Sequence, residues 1–168
     1  YKNDINGGSL GIFISHVNSK FKTINKNVNK ILVEEKKFKL NEVKTYVSFY
    51  NKINDIKKKL LKILIKIKKN NKTIHGYGAS TKGNVLLQYF DINHTLIDYV
   101  ADRNPAKNNH YTPGTKIKII TEEKSRKFKP DFYLVLPWHF KKEILIREKK
   151  IIKNGTKFIF PLPNIQII

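Results

Sequence analysis

This sequence of 168 residues lacks cysteine, contains few arginines and has no long apolar run. The absence of cysteine excludes disulfides and thiolate metal sites within the chain, although it does not fix the compartment. No apolar run approaches the roughly 20 residues that are needed to span a bilayer, and no charged-then-apolar leader opens the sequence. We therefore expect a soluble, cytoplasmic protein that has no membrane partner.

The charge of the chain is strongly unbalanced. Its formal net charge is +21, which usually indicates a nucleic acid or an anionic membrane as the partner. The excess is almost entirely lysine, because Arg103, Arg126 and Arg147 are the only arginines, whereas base readout and phosphate forks favour arginine. Lysine, isoleucine and asparagine are inflated together, and A/T-rich codons explain all three. We expect no specific nucleic-acid partner, and a basic polyanion-binding domain stays open as an alternative.

The first part of the chain is predicted to contain one strand and two helices. The sequence begins at Tyr1 rather than Met, and we expect it to be a piece of a longer chain. Gly8–His16 is alternating and rich in β-branched and aromatic residues, which predicts a strand without a nearby partner that completes a sheet lying outside the sequence. A short helix is predicted at Asn27–Phe38 and a long amphipathic helix at Asn41–Lys69, whose lysines form a solvated face.

From Lys72 onward, predicted strands alternate with predicted helices. This alternation predicts an α/β domain, a Rossmann-like and mostly parallel sheet with flanking helices. We place this domain at residues 41–168, including its leading long helix (41–70), and expect residues 1–40 to be the end of a preceding domain and its connection. The predicted elements are strands at Thr73–Tyr77, Leu96–Ala101, Lys116–Ile120, Asp131–Leu136 and Thr156–Phe160, and helices at Lys82–Phe90 and Phe140–Lys153.

One strand-to-helix turn carries the clearest chemical signal. Its glycines would let the backbone approach a ligand closely, and the N–H groups and dipole at the start of the following helix favour phosphate. Two hydroxyl side chains and a lysine add donors and positive charge. We therefore predict that this turn holds a phosphate-bearing small molecule. The turn reads Gly76-Tyr77-Gly78-Ala79-Ser80-Thr81-Lys82-Gly83-Asn84.

The same turn matches the dinucleotide fingerprint G-x-G-x-x-G only in part. Thr81 stands at the position of the third glycine, and the next glycine is Gly83. An NAD-binding Rossmann module of an oxidoreductase therefore stays open as an alternative function. A glycine-rich turn that merely joins a strand to a helix is the alternative without a ligand.

Two further loops are expected at the same edge of the sheet, where ligands bind in such folds. Asp102 and Arg103 follow the second strand, and Asp102 has roughly the position of a ribose-binding acid, although an Asx turn or a cap also fits. Trp138 and His139 follow the fourth strand. Trp138 would stack on a base or sugar or pack on the next helix, and His139 would be an acid–base group or a capping residue. No metal-ligand spacing is visible.

Taken in order, these loops resemble the C-terminal domain of S-adenosylmethionine-dependent C-methyltransferases that act on nucleotide-linked deoxysugars. The resemblance covers nearly the whole chain with sensible spacing. The N-terminal Gly7-Gly8-Ser9-Leu10 is similar to the segment that ends the methyltransferase core of that family. The other segments that carry the resemblance are Gly76–Asn84, Val100–Pro105, Tyr111–Thr115 and Leu136–Lys141.

The resemblance implies a three-part enzyme. A small zinc-binding domain and a class I methyltransferase core would precede this chain and would hold zinc, S-adenosylmethionine and the catalytic base. This chain would then contain no catalytic residue, would be inactive alone and would pack on its own methyltransferase core. Its role would be to bind a nucleotide-diphosphate sugar through Gly76, Gly78, Ala79, Ser80, Thr81, Lys82, Gly83, Asn84, Asp102, Arg103, Trp138 and His139.

Three positions depart from the pattern of that family. Asn6 stands where the family usually has histidine, and Gly11 stands where it often has arginine. Both lie on the side of the methyltransferase core, so they bear on the substrate and on activity. His139 stands where the family often has asparagine, which is a milder change.

Overall fold

The computed structural model describes residues 1–22 and 24–168. The chain divides into two compact units, Tyr1–Asn54 and Asp55–Ile168, and the boundary between them lies inside a long helix. Each unit is described by itself below.

The first unit contains a small hairpin and helical segments. Strand β1 (Lys2–Asn3) pairs antiparallel with β2 (Ser9–Leu10). Helix α1 (Asn25–Lys37) follows, and then α2 (Val43–Lys69) begins and runs on into the second unit. Both helices agree with the predicted ones to within about two residues, because their apolar spacing is clearly helical.

The strand predicted at Gly8–His16 is wrong in extent and in pairing. Only Ser9–Leu10 is a strand, and its partner lies just upstream at Lys2–Asn3. Asn6 and Gly7 have φ angles of 55° and 84°, which turn the chain back on itself between the two strands. The following Ile12, Phe13 and Ile14 are exposed and extend no sheet. Alternation alone predicts a strand only where a sheet face is present to bury one side.

The second unit is built from six strands and four helices besides the end of α2. The strands are β3 (Ile74–Tyr77), β4 (Tyr99–Asp102), β5 (Ile119–Thr121), β6 (Phe132–Val135), β7 (Lys157–Phe160) and β8 (Gln166–Ile167). The helices are α3 (Thr81–Tyr89), α4 (Glu122–Phe128), α5 (Lys141–Arg147) and α6 (Lys149–Lys153).

These strands form one sheet in the order β5-β4-β3-β6-β7-β8. All neighbours are parallel except β7 and β8, which pair antiparallel through Ile159 and Ile167. The predicted fold class, a Rossmann-like and mostly parallel sheet with flanking helices, is confirmed. Strand order proceeds outward in one direction from β3 to β5 and then restarts beside β3 with β6. The carboxyl ends of β3 and β6 therefore flank the topological switch point, where ligands bind in open α/β sheets.

Several predicted boundaries differ from the observed ones. The second strand begins at Tyr99 rather than Leu96, because the N–H groups of Leu96 and Ile97 bond to Asn93 O in a turn. The third begins at Ile119, because the preceding residues close a turn in which Lys116 has a φ of 55°. In both places, local hydrogen bonds in a turn keep residues whose side chains favour a strand out of the sheet.

The helix predicted at Phe140–Lys153 is two helices. A short 3₁₀ turn over Trp138–Phe140 leads into α5, and Glu148, with φ −96° and ψ 13°, separates α5 from α6. Helix α4 and strand β8 were not predicted. Helix α4 is short and polar, yet Thr121 caps it by accepting from Lys124 N at 3.2 Å, and two glutamates stand in its first turn.

The core of the second unit lies on both faces of the sheet. The last part of α2 buries Ile56, Leu60, Leu64 and Ile67, a helical stripe at spacings of three and four. Tyr77, Tyr133 and Phe158, which pack edge-on or tilted to one another, belong to an aromatic cluster, against which Trp138 packs. None of the helices in the described residues has the length and apolarity to cross a lipid bilayer.

Candidate functional site

A cavity of about 610 Å³ opens at the carboxyl edge of the sheet. Residues that follow four parallel strands line it, which is the geometry of a ligand site at a topological switch point. The lining residues are Tyr77, Gly78, Ser80, Asp102, Arg103, Asn104, Lys107, Glu122, Pro137, Phe140, Glu143, Ile144 and Arg147.

Glycine is required at two places in the turn after β3. Gly78 has a φ of 81°, and a Cβ there would lie 2.9 Å from two ring atoms of Pro137. A Cβ on Gly83 would lie 2.5 Å from Leu136 Cβ, so α3 packs directly against the end of β6. Gly83 thus provides the close approach of helix to strand that the third glycine of a dinucleotide fingerprint provides. The shifted glycine keeps the packing function although the spacing of the motif differs.

The turn is held by its own hydrogen bonds. Gly78 N donates to Ala101 O at 2.7 Å, and Ser80 N donates to Gly78 O at 2.8 Å. Ser80 also caps α3, because its Oγ accepts from Gly83 N at 3.0 Å. These bonds use backbone N–H groups that could otherwise face a phosphate, so the turn is rigid and only part of its donor capacity is open to a ligand.

Asp102 is fixed inside the chain. Its Oδ2 accepts from Ala79 N at 2.7 Å and from Lys107 Nζ at 3.2 Å, and its Oδ1 accepts from Asn104 N at 2.8 Å. Lys107 Nζ also donates to Ala79 O at 2.8 Å. The carboxylate therefore joins the first loop to the second and forms an Asx turn with Asn104, which is the structural alternative that the sequence left open.

Tyr77 and Arg147 connect the cavity to a network of polar groups behind it. Oε1 of the buried Glu148 accepts from the Tyr77 hydroxyl at 2.7 Å and from Arg126 Nη2 at 2.8 Å. Arg147 donates from Nε to Glu148 Oε1 and from Nη2 to Glu122 Oε1, each at 3.1 Å. Arg147 Nη2 also donates to the Tyr77 hydroxyl, and its guanidinium lies over the Tyr77 ring. The positive charges of two guanidinium groups and the negative charges of two carboxylates balance in this network.

The environment of this network shifts the pKa of its members. Burial raises the pKa of the Tyr77 hydroxyl well above its usual value, although the hydrogen bond from Arg147 opposes this. Burial also acts to raise the pKa of Glu148, but the hydrogen bonds from Tyr77 and Arg126 outweigh it and hold that pKa below its usual value. At neutral pH Tyr77 is therefore protonated and Glu148 ionised, so the hydroxyl donates to the carboxylate.

Trp138 and His139 lie next to the cavity without lining it in the described part of the chain. Trp138 packs on the core cluster that contains the rings of the aromatic cluster and Ile144 of α5. Burial lowers the pKa of His139, and the charge of Lys82 lowers it further. His139 Nδ1 and Asn84 Oδ1 are buried and meet no hydrogen-bond partner among the described residues. His139 is therefore mostly neutral at pH 7.

The structure brings four of the predicted site residues into the cavity wall and adds others. The four are Gly78, Ser80, Asp102 and Arg103. Gly76, Ala79, Thr81, Lys82, Gly83 and Asn84 belong to the turn but do not line the cavity as described. Sequence reasoning missed Tyr77, Glu122, Phe140, Glu143 and Arg147 as lining residues. The scarcity of arginine was a usable signal, because Arg103 and Arg147 line the cavity and Arg126 shares both glutamates with Arg147.

The described residues contain no group of three or more histidine, aspartate or glutamate side chains that could hold a metal ion. Together with the absence of cysteine, this leaves no donor set in residues 1–22 and 24–168 that fits a zinc ion.

Two comparisons with known proteins bear on the site. The family described as the C-methyltransferase C-terminal domain matches residues 4–163, which include all five parallel strands. The chain is also similar to C-methyltransferase NovU of Streptomyces niveus, with 30% identity over 165 residues. That match takes in 98% of this chain and 39% of NovU, so the chain spans well under half the length of that relative.

Proposed function

The chain belongs to the family of C-methyltransferase C-terminal domains, and from that premise we propose that its α/β unit binds the nucleoside-diphosphate sugar on which an S-adenosylmethionine-dependent C-methyltransferase acts. The observation that carries the proposal is the position of the cavity. It lies at the switch point of the sheet, between the glycine turn after β3 and the loops after β4 and β6. Three of the ordered segments that suggested this family, Gly76–Asn84, Val100–Pro105 and Leu136–Lys141, contribute residues to the cavity wall.

The role that we propose for this chain is binding and orientation rather than chemistry. S-adenosylmethionine, when bound, supplies the methyl group, and we place it with the catalytic base and any zinc in parts of the enzyme outside this chain. In this chain the rigid turn after β3 and Arg103 would hold the diphosphate, while Pro137 and Phe140 would give the ligand apolar contact. Such positioning supplies the orientation on which a methyl transfer depends.

The first unit supports a second part of the proposal, that it packs on the methyltransferase core. No described side chain before Asn54 is buried, although the segment carries many large apolar residues. Ile12, Phe13 and Ile14 are among the most exposed of them. Apolar surface of this extent is typical of an interface that another protein surface covers. The Gly7-Gly8-Ser9-Leu10 segment lies in the same unit and belongs, by resemblance, to the end of that core.

The two alternative functions make different demands on these residues. An NAD-binding module would use Asp102 for the ribose hydroxyls, but both oxygens of that carboxylate already accept bonds from within the chain. A basic polyanion-binding domain would use the lysines of α2, of which Lys58 is an exposed example. It would also show a steep salt dependence and no preference among nucleotides.

Calorimetric titration of the full-length protein with a nucleoside-diphosphate sugar tests the proposal. Lys82→Ala removes a positive charge from the first turn of α3, next to Ser80 of the cavity wall, and should weaken binding by about 1 kcal/mol. Lys58→Ala is the matched control, because it removes the same charge from the exposed face of α2, and it should change affinity little at physiological salt, where the Debye length is about 8 Å. Equal small losses in both variants would replace the proposal with general polyanion binding, and tighter binding of NADH than of sugar nucleotides would favour the oxidoreductase module.

Gly78→Val does not separate ligand binding from folding. Its side chain would meet Pro137 and would occupy a left-handed backbone conformation, so the turn itself would be disturbed. Lys82→Ala and Lys58→Ala are therefore the more informative pair.

A further inference from the structure

The charge around the cavity differs from the charge of the chain. The whole sequence has 34 lysines and arginines against 13 aspartates and glutamates. The ionised side chains that line the cavity are evenly divided, with Arg103, Lys107 and Arg147 against Asp102, Glu122 and Glu143. A site that attracted its ligand only through positive charge would not be lined by as many carboxylates as cationic side chains. The cavity therefore presents acceptors as well as donors to whatever it binds.

Four of these six side chains already have partners. Lys107 pairs with Asp102, and Arg147 pairs with Glu122. Arg103 and Glu143 remain, and neither makes a hydrogen bond or an ion pair with any residue that the structure describes. Arg103 comes from the loop after β4, beside the glycine turn, and Glu143 comes from the first turn of α5. The cavity thus carries one available cation and one available carboxylate on two different elements.

These two side chains suit different chemical groups. An arginine fork binds phosphate oxygens, and Gly78 and Ser80 of the glycine turn line the cavity together with Arg103. A carboxylate repels phosphate but accepts hydrogen bonds from hydroxyl groups. Phe140 and Ile144, which flank Glu143 in sequence and line the cavity with it, offer an apolar surface of the kind on which the C–H face of a sugar ring rests.

We propose, on the basis of the function proposed above, that the cavity binds its nucleotide sugar in one fixed orientation, with phosphate at Arg103 and sugar hydroxyls at Glu143. Glu143 is then a specificity-determining residue for the glycosyl group. The Glu122–Arg147 pair also lines the cavity and offers both a donor and an acceptor to the ligand. The Tyr77 hydroxyl and Glu148 hold Arg147 in place.

The test depends on the sign of the effect of Glu143→Gln. Calorimetric titration of the full-length protein would use three probes, namely dTDP-glucose, dTDP and inorganic pyrophosphate. Arg103→Gln should weaken binding of all three, by about tenfold. Glu143→Gln should weaken dTDP-glucose by about fivefold and leave dTDP and pyrophosphate no weaker than before. Loss of the positive charge at Arg103 and loss of the negative charge at Glu143 would then both weaken the binding of dTDP-glucose. A general electrostatic field would give the two variants opposite effects.

Glu123→Gln is the matched control for Glu143→Gln. Glu123 is an exposed glutamate on α4 that pairs with Lys127 and does not line the described cavity, so the variant changes the net charge equally. We expect it to leave all three affinities unchanged within about twofold. Subtracting its effect corrects the Glu143 result for net charge.

The outcomes separate this inference from the function on which it rests. If the unmodified protein binds dTDP-glucose but Glu143→Gln tightens it or leaves it unchanged relative to Glu123→Gln, the orientation is wrong and the proposed function stands. If Arg103→Gln weakens none of the probes, the phosphate does not bind at Arg103 and the orientation is wrong. If the unmodified protein binds none of the three probes, the proposed function fails and the orientation fails with it.

Discussion

The two compact units use their apolar residues in opposite ways. Within Asp55–Ile168, large apolar side chains such as Leu134 and Phe158 are completely buried between the sheet and its helices. Within Tyr1–Asn54, Phe13 and Ile14 are almost completely exposed, and no described side chain is buried. Both units contain regular elements with amphipathic patterns. The difference shows that apolar content makes a core only where a second layer is present to cover it.

Helix α2 shows the same contrast within one element. Its first part, in the first unit, leaves Val43, Val47 and Phe49 exposed, whereas its last part buries Leu60 and Leu64. The helical pattern is continuous through both parts, so secondary structure does not explain the change. The burial of each part depends on whether a surface lies against it.

Hydrogen exchange should give the largest difference between the two units. In the isolated chain, the amides of Ser9 and Leu10 should exchange nearly as fast as in an unfolded peptide, because a hairpin of two-residue strands is marginal in water. The amides of β3 and β6 should be protected more than about 1,000-fold over these. Mass-spectrometric or NMR detection would measure both sets in one sample. Strong protection of Ser9 and Leu10 in a monomer would show that the first unit is stable alone.

A matched pair of phenylalanine truncations should separate the units by folding stability. Phe158→Ala removes a fully buried ring from the aromatic cluster and should destabilise the chain by about 3–5 kcal/mol. Phe13→Ala removes a ring that is 90% exposed and should stay within about 0.5 kcal/mol. Chemical denaturation followed by circular dichroism gives both values. A loss above about 2 kcal/mol for Phe13→Ala would mean that this ring is buried in the folded chain.

Gly83→Val should test whether the site depends on close packing in the second unit. The new Cβ would overlap Leu136, and because both atoms belong to packed elements, α3 would have to move away from β6. We expect a loss of about 3 kcal/mol, at the upper end for overpacking. Val85→Ala, at an exposed position of the same helix, is the control and should change stability by less than about 0.5 kcal/mol. Full stability of the Gly83 variant would contradict the observed contact.

The pH dependence of stability should report on His75, which is buried in β3. Burial lowers the pKa of His75 to about 4 from an ordinary 6.5, and Asp98 opposes this only in part. Because the folded pKa lies below the unfolded one, protons bind the unfolded chain preferentially between these values. Stability should therefore be complete above pH 6.5 and should fall as the pH decreases toward 4, by roughly 2–3 kcal/mol.

His75→Phe isolates this contribution. The variant keeps an aromatic ring but cannot titrate, and it loses the hydrogen bond to Ser125 Oγ, for which we expect about 1 kcal/mol at neutral pH. Its stability should fall much less than that of the unmodified chain between pH 6.5 and 4.5, above the range in which carboxylates such as Glu148 protonate. The remaining slope would come from His139, whose pKa is lowered by burial but less than that of His75. Denaturation midpoints at several pH values measure the two slopes. Parallel curves for the variant and the unmodified chain would show that His75 is not the responsible group.

Much of the second unit was predictable because its signals are local. Strand-to-helix alternation predicted the fold class, and the helix predicted at Lys82–Phe90 lies within one residue of α3. Helix α4 was missed because it has seven residues and buries only Ser125, so no apolar stripe reveals it. The break at Glu148 was missed because the apolar pattern runs through it, while the carboxylate bonds to Tyr77 and Arg126 from distant parts of the chain.

The candidate site also has parts that were predictable from local sequence and parts that were not. The sequence by itself determined the glycine turn and its place between a strand and a helix, because turn conformation and the alternation of strands and helices follow from neighbouring residues. Only the tertiary structure decided that Asp102 is bound to Ala79 and Lys107, and that Arg147 and Glu143 face the same cavity as Arg103. Hydrogen bonds and cavities join residues that are far apart in the chain, and their formation depends on how helices and strands pack rather than on any local pattern.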